Sequence, residues 1–126
     1  MKFMFTIYHD EKVLDAMPEK EMQALVDSAI EYAEEIGRSG HYIVSDALQR
    51  AETARTIRVH AGKVSTTAGP FAETKDQLGG FFVIEAKDMD EACAVAARFP
   101  PARVAVIEVR PVQELKHSRD RRGLPS

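Results

Sequence analysis

Between Gly69 and Gly80 the chain reads GPFAETKDQLGG, the densest run of chemically able side chains in its 126 residues. Glu73 has the chemistry of an acid or base and Lys75 that of an electrostatic clamp. Thr74, Asp76 and Gln77 add hydrogen-bonding groups around them. Gly69-Pro70 fixes a turn, Phe71 can anchor it, and Gly79-Gly80 permits close approach by another segment. The same residues also describe a rigid connector whose polar groups cap its own turns, and chemistry alone favours that plainer reading. The Gly-x-x-x-x-Gly-Lys spacing of a phosphate loop does not occur in this segment.

Other candidates are scattered. His9-Asp10-Glu11 offers a histidine beside carboxylates, an acid–base pairing near neutral pH, but neighbours at a strand end point apart and a solvated turn is expected. His41 and Asp46, five residues apart, fall on opposite faces of a regular strand. His60 sits at a turn and His117 near the C-terminus, so the four histidines show no metal-ligand spacing. Glu108 and Arg110 share one face of the last strand. They can grip an anion, although an interface or structural ion pair is the expectation. Tyr8 and Tyr42 bring phenolic hydroxyls on strands where aromatics mostly pack. Cys93, on an apolar helical stripe, is expected to be inert core. The candidate ligand contacts are therefore Tyr8, Phe71, Glu73, Thr74, Lys75, Glu108 and Arg110, with no cofactor and no metal.

Composition bounds these options. Seventeen Lys and Arg against twenty Asp and Glu, a formal charge of −3, argue against a general nucleic-acid binder. With 44% apolar and 29% charged residues the chain is an ordinary globular one, of a size for a single core. One cysteine excludes an intramolecular disulfide. No apolar run approaches the roughly 18 residues a membrane span needs, and a cytoplasmic domain is expected.

The elements that must position these residues follow from periodicity. KFMFTIY at 2–8 alternates as a strand apolar on both faces. HDEKVLDAM is a connector to a helix that opens at Pro18. Its stripe is Met22, Leu25, Val26, Ala29, Ile30, Ala33 and Ile36, and Gly37 with Ser39-Gly40 marks its stop. Strands are expected over 41–48 and 53–59, then a tight reversal at Ala61-Gly62 and a short strand at 63–67. After the 69–80 loop, FFVIEA at 81–86 is a strand. Asp88 with Glu91 starts a small-residue helix that Pro100-Pro101 ends, and VAVIEVR at 104–110 is the last strand. This order makes two βαβ-like halves, a ferredoxin-like α+β sheet with two helices on one face and a small hairpin insertion. Its helix-free face is apolar enough to make a homodimer the natural solution. The domain is expected to occupy residues 1–115. Residues 116–126, basic and polar, are expected to form a frayed solubilising tail.

AGPFAETKDQLGGFFVIEAKDMDEA, with the closing IEVRPV at 107–112, resembles the DGPF group of the YCII-related superfamily over about residues 1–113. The resemblance implies ferredoxin-like domains that pair as dimeric α+β barrels, with a cleft between sheet and helices or at the subunit boundary. Most such proteins have no established activity. A few relatives act on small aromatic or lactone-like compounds, a His-Asp pair has prompted enzymatic proposals, and others are associated with sigma factors. The resemblance thus implies a small-molecule-binding or accessory dimer. The alternatives are a cofactor-independent enzyme of proton transfer, elimination or isomerisation, or an accessory partner in sigma-factor-linked regulation. The aspartate of the signature is Ala68 here, so no proton-transfer role rests on it. Phe71, Glu73, Thr74, Lys75, Gly79, Gly80, Glu108, Arg110 and Pro111 carry over as signature positions, none as a catalytic residue.

Overall fold

The computed structural model describes residues 1–114, so the expected tail lies outside the described residues. Strand β1 (Lys2–His9) leads through two helices, α1 (Glu11–Asp15) and α2 (Glu19–Arg38), to β2 (Tyr42–Ala47). A single 3-10 turn (Ala51–Thr53) and the hairpin β3 (Arg55–His60) and β4 (Lys63–Ala68) follow. Then come β5 (Gln77–Glu85), α3 (Met89–Ala97), a second 3-10 turn (Pro100–Val104) and β6 (Val106–Pro111). The main sheet has the order β2-β5-β1-β6 with every neighbour antiparallel. That is the ferredoxin-like α+β arrangement, with β3 and β4 as a separate two-stranded sheet.

Period-two alternation sorts β1 cleanly. Phe3, Phe5 and Ile7 are buried under the helices, whereas Met4, Thr6 and Tyr8 face the other way. Phe82 and Ile84 of β5 join the first set. Phe5 stacks on Phe82 with centroids 4.8 Å apart, and Tyr32 and Phe99 close edge-on around Phe82. The Tyr32 hydroxyl donates to the Val95 carbonyl at 2.6 Å, tying α2 to α3, and burial pushes its pKa up to about 12. From α3, the small residues Ala92, Val95 and Ala96 let the helix lie close to the sheet. Cys93 is a correction to the expected stripe, because it is exposed.

Several local expectations shift for identifiable reasons. The segment read as a connector contains α1, started by the Asp10 carboxylate accepting from the Lys12 amide. Helix α2 begins one residue after Pro18 and runs through Gly37, ending where Gly40 takes φ +83°. β5 starts at Gln77, so Gly79 and Gly80 belong to a strand and not to the loop. At the Ala61-Gly62 reversal both residues have positive φ, the left-handed geometry of the tightest hairpins.

The largest departure concerns α2. Of its expected apolar stripe only Ile36 is fully buried, with Ala29 and Ala33 partly so, while Val26 and Ile30 stay exposed. Ile36 and Tyr32 pack into the core, and Arg98 pairs with Glu35 across to α3 at 3.0 Å. The N-terminal half of the helix stands off the sheet and leaves space beneath it.

Candidate functional site

That space is a cavity of about 810 Å³ between α2, the upper ends of β1, β2 and β5, and the second 3-10 turn. Its walls are mainly apolar: Met22, Leu25, Val26, Ala29 and Ile30 from the helix, with Ile7, Phe82 and Val104 from the sheet side. The polar groups on its lining are spread along it: His9 and Arg50 near Gly79, Asp46 and Glu34, and the Tyr42–Ser45 pair farther along β2, whose hydroxyls lie 3.0 Å apart. A largely apolar chamber with a few polar groups is the usual build of a small-molecule site.

His9 reaches this place because alternation carries it one step past Phe3, Phe5 and Ile7 on the same face of β1. It was expected in a solvated turn, and it is half-buried instead. The register explains how. Ile7 pairs with Gly80 and Tyr8 with Leu78, leaving Gly79 as the extra residue of a β-bulge. A Cβ on Gly79 would stand 1.9 Å from His9 Cε1, so the imidazole occupies the space a side chain there would fill. Burial lowers the His9 pKa from its ordinary value, helped by the Arg50 guanidinium. Glu11 and Asp76 pull weakly the other way. The ring is therefore neutral at neutral pH and keeps one nitrogen able to accept a proton.

Its neighbours are fixed from several directions. Arg50 Nη2 meets Asp15 Oδ1 at 2.9 Å, and Glu11 Oε2 accepts from the Ala51 amide at 2.8 Å, so α1 is clasped to the turn after β2. The Leu48 amide donates to the Gly79 carbonyl at 2.9 Å, continuing the β2 ladder past the bulge. Asp46 also borders the cavity, and its backbone carbonyl lies close to Gly80.

None of the seven residues expected from sequence lines this cavity. Glu73, Thr74 and Lys75 share a second, polar recess of about 860 Å³ with Asp10, Glu11, Lys12 and Gln77. There Gln77 Nε2 donates to the Ala72 and Thr74 carbonyls, and the Thr74 hydroxyl donates to the Asp76 carbonyl, bonds that shape the loop itself. Phe71 is 80% exposed and does not anchor the loop against the core. Tyr8, Glu108 and Arg110 lie on the helix-free face, where Arg110 Nε and Glu108 Oε1 are 3.4 Å apart. His41 and Asp46 do not meet, since His41 Nε2 lies 3.1 Å from Glu91 Oε1 and its Nδ1 contacts the Ser39 hydroxyl. Among the described residues no group of three His, Cys, Asp or Glu side chains is placed to hold a metal ion. No helix there is long and apolar enough to cross a membrane.

The signal that sequence reading passed over was the phase of His9. Extending the buried positions 3, 5 and 7 by one step reaches residue 9, and the only side-chain-free pair in the adjoining strand is Gly79-Gly80.

An uncharacterised protein of Rhizobium meliloti (strain 1021) is 31% identical over 114 residues, covering 89% of this chain and 92% of its own length. The model of the YCII-related domain matches residues 1–116. A match of that extent, over the same elements that frame the His9 cavity, makes this chain a member of the YCII-related domain family.

Proposed function

We propose that this protein binds a small organic molecule in the cavity beneath α2, with an apolar body against Leu25, Val26 and Ile30 and a polar group at His9 and Arg50. The observation that carries the reading is the half-buried His9, with Arg50, on the lining of an otherwise largely apolar chamber of about 810 Å³. A core position would have been filled by an apolar side chain at less cost, since a buried imidazole must keep its hydrogen-bonding needs met.

A second reading has a specific observation behind it. An unprotonated imidazole beside a guanidinium is the pairing that a cofactor-independent proton transfer, elimination or isomerisation needs. His9 accepts the proton and Arg50 steadies the anion that forms. The two readings share one site and differ only in turnover.

In the finer classification we place the chain in the DGPF group, supported by GPFAETK and LGGF, with Ala68 in the position of the signature aspartate. Met4, Thr6, Tyr8, Phe81 and Val83 form a partly covered, largely apolar helix-free face that supports a homodimer. In this reading Tyr8, Glu108 and Arg110 are subunit contacts, while Glu73, Thr74 and Lys75 form the rim of the neighbouring recess. A cytoplasmic location is the compartment we assign to it.

The experiment is fluorescence titration with 8-anilinonaphthalene-1-sulfonate, an aromatic anion of suitable size, on the native protein and on Ala29→Phe. Saturable binding that the cavity-filling Phe weakens at least tenfold is expected. Equal binding by both proteins would place the probe elsewhere and end the reading.

A further inference from the structure

Among the described residues Arg50 is the only Lys or Arg on the lining of the cavity beneath α2. Its place is fixed from outside that lining. Asp15 of α1 meets its Nη2 at 2.9 Å, and α1 is itself held by Glu11 on the Ala51 amide and by the buried Leu14. The rest of the guanidinium meets no acceptor among the described residues. The half-buried ring of His9 likewise forms no hydrogen bond there. Two side chains on one cavity wall thus keep donors to spare, and such groups are what fixes the orientation of a ligand in an apolar site.

The charge around these donors selects the ligand group. Arg50 is close enough to His9 for its charge to bear on the ring, so an ammonium placed against the pair is repelled. The carboxylates on the lining do not reverse this. Asp46 pairs with Phe81, one step out of phase with the core-facing Phe82, so alternation sends its side chain to the helix-free side. Glu34 is exposed on α2, where water screens it. A doubly charged phosphate is ill matched for the opposite reason. One guanidinium already shared with Asp15 cannot balance it, and the first turn of α2, which carries Glu19 and Glu21, is no anion seat. A carboxylate brings a single negative charge, and its two oxygens suit the planar fork of a guanidinium.

We propose that the cavity takes a monocarboxylate with an apolar body, its carboxylate on the free N–H groups of Arg50 and on the ring N–H of His9. This rests on the ligand reading above and adds to it the charge and the polar group of the ligand. A carboxylate loses more hydration than a hydroxyl on entering an apolar chamber. An acid that outbinds the alcohol of the same body therefore reports the Arg50 contact and not the fit of the body.

The test is calorimetric titration at neutral pH with four probes that share one ring system: 2-naphthoate, 2-naphthylmethanol, 2-naphthylmethylamine and 2-naphthyl phosphate. The native protein is expected to bind 2-naphthoate at least tenfold more tightly than each of the other three, as charge-assisted hydrogen bonds allow. Arg50→Gln is expected to abolish that preference and to bind 2-naphthylmethanol within about threefold of the native protein, which also shows that its cavity is intact. An alcohol or amine held as tightly as the acid overturns the proposal, and so does a phosphate held more tightly. A preference for the acid that survives in Arg50→Gln overturns it too. In each of these cases Ala29→Phe still weakens the probes, and the cavity reading stands. Binding of none of the four, or binding indifferent to Ala29→Phe, ends the cavity reading and this inference with it.

Discussion

The imidazole of His9 occupies the place where a side chain on Gly79 would be, the hypothetical Cβ falling 1.9 Å from Cε1. The bulge at Gly79 and the placement of His9 are therefore one feature seen from two strands. Gly79→Ala is expected to push the ring away and destabilise the fold by about 1–3 kcal/mol, the usual cost of overpacking. His9→Ala in the same chain removes the colliding ring, so the double variant is expected to recover part of that loss. Chemical denaturation of the four proteins of the cycle measures the coupling. Strict additivity would show that ring and bulge are independent.

Burial and Arg50 hold the His9 pKa below 6.5, and this sets a sign for stability against pH. In the unfolded chain the ring takes up a proton around pH 6.5, whereas in the folded chain it resists until a lower pH. Stability from this group is present above pH 6.5 and is lost as the pH falls toward the folded value. The native protein is expected to lose stability relative to His9→Gln across that window and to match its pH trend above it. Denaturant midpoints measured from pH 7.5 downward decide the matter. A widening advantage for the native protein at low pH would mean the ring is charged in the fold.

The aromatic cluster should dominate stability. Phe5 is fully buried and stacked on Phe82, so Phe5→Ala is expected to cost about 3–5 kcal/mol. Phe71 has no such surroundings, and Phe71→Ala is expected to change stability by no more than about 0.5 kcal/mol in either direction. Thermal and denaturant unfolding of the two variants compares them directly. A large loss for Phe71→Ala would reveal a partner surface that the single chain does not contain.

The proposed pairing of two copies through the helix-free face has its own consequence. Thr6 sits between Phe81 on β5 and Glu108 on β6 in the middle of that face. Thr6→Arg leaves the helix-side core untouched and is expected to raise the concentration at which sheet-paired dimers form by at least tenfold. Sedimentation velocity over a dilution series reads it. An unaltered profile would move the sheet-face contact elsewhere.

How much was legible in the sequence depended on how local its cause was. The strands at β1 and β5 and the two long helices follow from periodicity, which each segment carries in itself. The tight turn at Ala61-Gly62 was equally local. Val26 and Ile30 were read as core because they belong to the α2 stripe, but the stripe does not say how far the helix lies from the sheet. That distance is set by Tyr32, Ile36 and their partners on α3, and it is what opens the cavity. His9 was hidden for a related reason. Its neighbours Asp10 and Glu11 suggested a polar turn, while its true surroundings come from Gly79 and Arg50, far away along the chain. The polar loop at 73–75 drew notice because its residue types are dense, although its hydrogen bonds largely serve its own shape.

The most direct measurement of the central claim is a proton–carbon NMR titration of the His9 ring with 8-anilinonaphthalene-1-sulfonate, recorded alongside the backbone amides. The account predicts that His9 Cε1–H and the amides of Gly79 and Gly80 shift together and saturate at one concentration. It also predicts that the His9 pKa of the free protein lies below 6.5. Shifts confined to residues 73–77, or a His9 that titrates as a solvated imidazole, would contradict it.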